Sequence, residues 1–258
     1  MTKGLFIGDP HTTPEQNNNR FDVLGNFILE TQPEYIVMAG DFLALDSISF
    51  YNAKKPLIKE GLRLADDINH GKEALEKVES KIRAYNATRS KHKKAKYNPK
   101  KIWLIANHED RWMRYLESSP ELVGLLDDSD LVGAGNAGWE VVEYKKYYSI
   151  DQVLFTHIPI HNGNAPIAGE YVCKRALDLC GSSVVFGHTH RLAMHDVRRV
   201  GQNRHTALSG GWFGDYVPDY MQGANEIVRW WSGVVNIHHT DVGSFDPEPV
   251  SLERMEYV

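Results

Sequence analysis

Carboxylate, imidazole and amide side chains recur in five short groups along this chain: Asp9-Pro10-His11, Gly40-Asp41, Asn107-His108-Glu109, His157, and Gly187-His188-Thr189-His190. Oxygen and nitrogen donors of this kind, with no thiolate among them, suit Mn, Fe, Zn or Ni better than Ca. Two such cations about 3.5–4 Å apart can share a deprotonated water and grip a phosphoryl group, which supplies a nucleophile at neutral pH and cancels charge on the phosphate oxygens. Each group follows a short apolar run that reads as a strand, such as Leu5-Phe6-Ile7 or Tyr35-Ile36-Val37-Met38-Ala39. Five strand ends bring their donors together only if the strands lie side by side. The set therefore points to a two-metal hydrolytic site acting on phosphoesters.

Taken one at a time, the groups have plainer readings. Asp41 after a strand fits a helix N-cap, and Asn107 fits a turn. His157 after Val153-Leu154-Phe155-Thr156 fits an ordinary strand-end histidine, and the Gly187 to His190 group fits a surface loop. Their order and shared strand context carry the metal reading.

The ordered groups resemble the blocks of the calcineurin-like metallophosphoesterases: Asp-x-His, Gly-Asp, Gly-Asn-His-Asp/Glu, a lone His, and Gly-His-x-His. The resemblance spans roughly residues 5–197. It implies that Asp9, His11 and His190 hold one metal, that Asn107, His157 and His188 hold a second, and that Asp41 bridges them. It leaves His108 facing the substrate, where it neutralises developing charge or protonates the leaving oxygen. Glu109 is then expected to orient His108 as a hydrogen-bond acceptor. His161, four residues after His157, is either a pocket residue or a surface-loop histidine. The implied cofactors are two divalent ions, Mn first, with Fe, Zn, Ni or Mg as alternatives. Two departures stand out. Ala106 replaces the usual Gly before Asn107, and Gly40-Asp41 is followed by Phe42-Leu43-Ala44-Leu45-Asp46 with no Arg-Gly.

The elements that must position these residues follow from periodicity. Residues 5–9 and 35–41 read as strands joined by a helix over residues 15–31, in which Phe21, Leu24, Phe27 and Ile28 recur at helical spacing. That unit predicts a parallel pair. Residues 54–98 carry a long apolar stripe broken by Gly71, read as one or two helices. Because 66 positions separate Asp41 from Asn107, the segment is expected to be an inserted helical hairpin beside the site. Residues 101–107 form the third strand, 109–126 a helix interrupted near Pro120, and 139–144 with 147–157 a hairpin. A helix over 169–180, a strand over 183–186 and later strands complete the chain. The expected fold class is α/β, α+β layered: a two-sheet β-sandwich flanked by helices. The chain reads as a single domain, 1–258, with a helical, basic insertion at 54–101.

Composition adds bounds. The 258 residues are 42% hydrophobic and 24% charged, ordinary for a globular protein. The apolar runs are too short to span a bilayer, and the opening Met1-Thr2-Lys3 leaves no room for a signal peptide before the first strand. Two cysteines, Cys173 and Cys180, read as thiols in a reducing cytoplasm. Of the 29 Lys+Arg and 34 Asp+Glu, residues 54–101 hold 15 and 6, so the chain's positive charge is concentrated there. Within it, residues 89–101 carry seven Lys+Arg and no acid. Lys91, Lys93, Lys94 and Lys96 are candidate contacts for a nucleic-acid backbone, against the plainer reading of a solvated helix end. An aromatic-rich stretch, Trp212, Phe213, Tyr216, Tyr220, Trp230 and Trp231, offers either base stacking or packing. A phosphodiesterase or nuclease is the leading expectation. A small-molecule phosphomonoesterase or nucleotide hydrolase comes second, and a catalytically silent binding protein of the same fold third. The complete ligand set and His108 argue against the last.

Overall fold

The structure, a computed structural model, describes residues 2–50, 56–125, 130–161, 165–198, 200, 203–218, 221 and 229–257. Strands β1 (Lys3–Ile7), β2 (Tyr35–Met38), β3 (Lys100–Leu104) and β4 (Glu140–Val142) run parallel and adjacent. The chain then enters a second sheet through β5 (Tyr148–Ile150) and β6 (Val153–Thr156), and passes along a small ribbon of β7 (Ile160–His161) and β8 (Ala165–Pro166). The second sheet is completed by β9 (Val184–Phe186), β10 (Leu192–Arg198) and β11 (Arg204–Gly210), in the order β10-β11-β9-β6-β5. Strands β12 (Gly233–Asp241) and β13 (Ser244–Ser251) return antiparallel to the first sheet, giving the order β13-β12-β1-β2-β3-β4.

Side chains alternate across a strand, and here both faces are buried. In the first sheet Phe6, Val37, Ile102 and Leu104 pack with Phe155, Val185 and Leu208 of the second, forming the inter-sheet core. Their neighbours Leu5, Ile7, Ile36, Met38 and Trp103 face helices α1 (Asn19–Thr31), α3 (Leu64–Lys91) and α4 (Asp110–Ser118). On the far side Val184, Phe186 and Ala207 meet α5 (Val172–Cys180). Two-sided burial is why the strands read as continuous apolar runs. The chain also contains the one-turn helices α2 (Pro56–Lys59) and α6 (Leu252–Met255). The layered α/β sandwich is as the sequence implies. Among the described residues no helix is long and apolar enough to cross a membrane.

Three expectations change in detail. Instead of a helical hairpin, α3 is one 28-residue helix, and among the described residues of 54–98 the one other helix is the single turn α2. It runs straight through Gly71, whose missing side chain admits Leu43 Cδ2. Ile68, Ala74, Leu75, Val78 and Ile82 pack it into the same core as α1, so it serves as the β2-to-β3 crossover. The hairpin expected from residues 139–157 is divided between sheets: β4 lies beside β3, and β5 pairs with β6. Asp151 and Gln152 turn between β5 and β6 with φ of 47° and 64°, the left-handed pair that a two-residue hairpin loop requires.

The third change concerns charge. The start of α3 meets the loop after β2, where Ser47 Oγ donates to Asp67 Oδ2 at 2.5 Å. Its last turns lie ahead of β2, where Gln32 donates to Tyr85 Oη at 2.7 Å. At about 1.5 Å per residue the helix spans roughly 40 Å. The exposed Lys91, Lys93, Lys94 and Lys96 therefore sit at the N-terminal edge of the strands.

Candidate metal centre

All five donor groups lie just past the C-terminal ends of parallel strands: Asp9 and His11 after β1, Asp41 after β2, Asn107 and His108 after β3, His157 after β6, and His188 with His190 after β9. The first three come from one sheet and the last two from the other, so the site straddles the sandwich at one edge. The local backbone is strained to put them there. His11, Asp41, His188 and His190 have φ of 46°, 47°, 63° and 57°, a left-handed region costing about 1–2 kcal/mol for residues with a side chain. Strain of this kind collects at functional sites. Gly40, at φ 91°, completes the turn after β2. A Cβ there would lie 2.4 Å from the Ala106 methyl, so Ala106 fills the room that Gly40 leaves.

Two clusters of nitrogen and oxygen form. His157 Nδ1 donates to the Ala39 carbonyl at 2.9 Å, which turns the lone pair of Nε2 inward. That Nε2 is 2.8 Å from Asn107 Oδ1 and 3.1 Å from His188 Nδ1, and His188 Nδ1 is 2.8 Å from the same Asn107 oxygen. In the other cluster His11 Nε2 faces His190 Nε2 at 3.0 Å, and His190 Nε2 is 3.4 Å from Asp9 Oδ2. Asp41 stands between them. Its Oδ2 is 3.8 Å from His11 Nε2 and 3.5 Å from His157 Nε2, while Oδ1 accepts the His108 N–H at 2.8 Å.

A divalent cation fits these residues. Asp9 is fully buried, yet neither of its carboxylate oxygens has a hydrogen-bond partner. A buried unpaired carboxylate is costly unless a cation meets it. Its floor is Gly187, where a Cβ would lie 2.4 Å from Asp9 Oδ1. The trios Asp9–His11–His190 and Asp41–His157–His188 each place their ligand atoms within 4.8 Å of one another. A third trio, His11–Asp41–His108, has the same spacing. There, however, the Arg111 guanidinium sits 2.7 Å from His108 Nε2, and a fixed positive charge on that nitrogen disfavours a metal ion.

The electrostatics match this donor set. Burial holds the imidazoles of His11, His157 and His188 below their ordinary value and takes His190 down to about 3 and His108 down to about 4. All five rings are neutral near pH 7, the form that ligates. Asp9 is pushed well up, first by burial and then by Asp41; Glu109 rises to about 7 for the same two reasons.

Glu109 does not do what the sequence led us to expect. Its buried carboxylate accepts the backbone N–H groups of Asp41 at 3.0 Å, Phe42 at 2.7 Å, Leu43 at 3.3 Å and Ala106 at 3.2 Å. It fixes the Gly40–Leu43 turn and through it Asp41. His108 is oriented instead by Ala44, whose carbonyl lies 2.9 Å from Nδ1. The reason is geometric: Glu109 opens the turn into α4, and its side chain falls back on the neighbouring strand end. His161 is exposed on the β7–β8 ribbon, and the lysine run is at the other edge of the sheet; neither is brought into the cluster.

Several supporting residues had no clear sequence signal. Arg20, 2% exposed, donates to the carbonyls of Pro10 and Phe213, both at 3.1 Å, and to Asp215 at 3.0 Å. Tyr216 Oη donates to the His11 carbonyl at 2.7 Å. Trp212 stacks on His190 at 5.7 Å between ring centres and Trp230 meets it edge-on at 4.1 Å. These aromatics wall one donor cluster, with Trp212 and Phe213 buried; Tyr220 lies outside the described residues. Arg111 was also missed. A spacing of three from His108 across a helix start was its one available signal.

The sequence profile of the calcineurin-like phosphoesterases matches residues 3–192. No curated protein sequence matches. Among solved structures, a nuclease MPE of Pseudomonas putida aligns at 16% identity and TM-score 0.36, over 95% of this chain and 87% of the other. A single-mutant Vps29 of Entamoeba histolytica aligns at 12% and 0.42, over 96% and 98%. Wild-type Vps29 complexed with zinc, from the same organism, aligns at 13% and 0.37, over 97% and 99%. With the profile covering most of its length, the chain belongs to the calcineurin-like phosphoesterases.

Proposed function

We propose that this protein is a dinuclear, metal-dependent phosphoester hydrolase that prefers phosphodiesters. The observation that carries the reading is the pair of buried donor clusters joined by Asp41, with both Asp9 oxygens unpartnered. Asp9, His11 and His190 would hold one cation, Asn107, His157 and His188 the other, and Asp41 would touch both. Bound there, two divalent ions would activate a water and neutralise charge on the phosphoryl group. Mn is our first choice for the physiological ion.

The chain's own groups have separable tasks. Ala39 and Glu109 hold the ligands through His157 Nδ1 and the turn around Asp41. His108, kept from ligation by Arg111, faces the ester oxygens. The diester preference draws on the loop after Gly40-Asp41. Phe42, Leu43, Ala44 and Leu45 are all buried, so that loop brings no cation to a phosphate. A monoester dianion needs more neutralisation than a diester monoanion. Nucleic acid is the polymeric candidate, and the two free thiols, Cys173 and Cys180, suit a cytoplasmic setting.

A reconstitution panel tests this. Chelator-treated protein should be inactive and should recover with Mn²⁺, cleaving bis-p-nitrophenyl phosphate faster than p-nitrophenyl phosphate. Cyclic nucleotides and single- and double-stranded DNA complete the panel. Full activity without metal would sink the mechanism, and faster monoester cleavage would return the assignment to a phosphomonoesterase or nucleotide hydrolase.

A further inference from the structure

A permanent positive charge, that of Arg111, reaches the site without belonging to either donor cluster. Arg111 lies in the first turn of α4 with its side chain 11% exposed. Nη1 donates to the Ala44 carbonyl at 2.7 Å, Nη2 lies 2.7 Å from His108 Nε2, and Nη1 is 4.0 Å from Asp46 Oδ1. A guanidinium has only donors. His108 Nε2 must therefore be the acceptor, and the ring proton sits on Nδ1, which donates to the same Ala44 carbonyl at 2.9 Å. One carbonyl oxygen thus anchors both groups. Ala44 is itself pinned, its N–H donating to the Thr12 carbonyl at 3.0 Å. Beyond the ring, His108 Nε2 is 3.9 Å from Asp41 Oδ2, the oxygen shared by the two clusters.

We propose that Arg111 is the cationic clamp for the substrate's phosphoryl oxygens and the residue that positions His108. The inference rests on the phosphoester-hydrolase reading and deepens it. The loop after Asp41, buried and apolar, cannot supply such a cation. Arg111 enters from α4, three residues beyond His108, and arrives beside the same oxygens from another element. Its fork geometry suits the non-bridging oxygens of a phosphate, and a phosphoryl oxygen lying over Asp41 is one imidazole away from it.

The test uses Arg111→Ala and Arg111→Lys in the full chain. Metal content, melting temperature, inorganic phosphate affinity, and kcat and KM on both nitrophenyl esters would be measured. Metal content and melting should stay near wild type. Hydrogen bonds to charged groups of this kind correspond to roughly a 10–100-fold effect. Phosphate affinity should fall by that factor in Arg111→Ala, with a matching rise in KM for the monoester and a smaller rise for the diester. Arg111→Lys should recover phosphate affinity but not kcat, because an ammonium cannot hold Ala44 and His108 together. Unchanged phosphate affinity in Arg111→Ala would overturn the clamp. Lost metal would show a purely structural support for the Ala44 loop, also overturning it. If wild-type, metal-loaded protein cleaves neither ester, the hydrolase reading fails, whereas phosphate affinity still judges Arg111 by itself.

Discussion

At the scale of single residues, the site divides into side chains that would touch metal, side chains that hold those, and two that would face substrate. His108→Ala should keep its metal and lose most of its turnover, because it removes the acceptor that holds Arg111, whereas Asp41→Ala should lose metal because Asp41 touches both clusters; equal metal loss in the two variants would refute the division. Glu109→Gln is a test of support alone. A glutamine cannot accept four N–H groups with both of its ends, so buried donors are left unpaired at about 1–3 kcal/mol. Metal affinity should fall about 10–100-fold, read by competition with a chelating dye. The pKa shifts predict the acid behaviour of metal-free protein. The depressed imidazoles bind protons more readily when unfolded, so their contribution is present above about pH 6.5 and is lost as pH falls toward the folded values of about 4 for His108 and about 3 for His190. Asp9 and Glu109, raised, act the other way, and Glu109 loses its contribution as pH rises toward its folded value of about 7. Five depressed groups outweigh two raised ones. Urea unfolding of metal-free protein should thus show lower stability at pH 5.5 than at pH 7, and no difference would contradict the burial argument.

At the scale of elements, β1, β2 and β9 end in tight turns with left-handed residues, β3 and β6 end without them, and all five deliver their donors to the sandwich edge. Helix α3 bears on this from behind. Leu75 and Val78 are buried against the α1 side of the sheet, so the helix supports the platform and is no lid. Leu75→Ala should cost about 2–5 kcal/mol and lower the melting temperature by several degrees, while kcat/KM of the folded fraction stays at the wild-type value. A change in KM with unaltered melting would instead indicate a flap over the substrate. The length of α3 also explains why the segment before β3 lies far from the site: a chain that starts at one edge of a sheet must cross it before delivering Asn107.

At the scale of the whole molecule, chemistry and charge occupy opposite edges. The candidate metal centre lies at the C-terminal edge of the strands, and Lys91, Lys93, Lys94 and Lys96 at the other, beside a cavity of about 420 Å³ lined by Glu34, Tyr85, Arg89 and Lys96 among others. Changing the four lysines to Ala should leave hydrolysis of a small diester intact. If DNA or RNA is a substrate that wraps from one edge to the other, the same change should weaken its binding and flatten the salt dependence; a loss on the small ester would mean that the run shapes the centre after all. The donor residues and the layered fold were legible in the order of the amino acids, because ligand chemistry is a property of side-chain type and strands buried on both faces write themselves as apolar runs. The tasks of Glu109 and Arg111, the single helix at residues 64–91, the division of β4 from β5 and the distance of the lysines from the metal centre were decided only by the tertiary structure. Each depends on which strand end, helix turn or sheet edge lies beside which other, and no residue carries that information in its own type or in its local spacing.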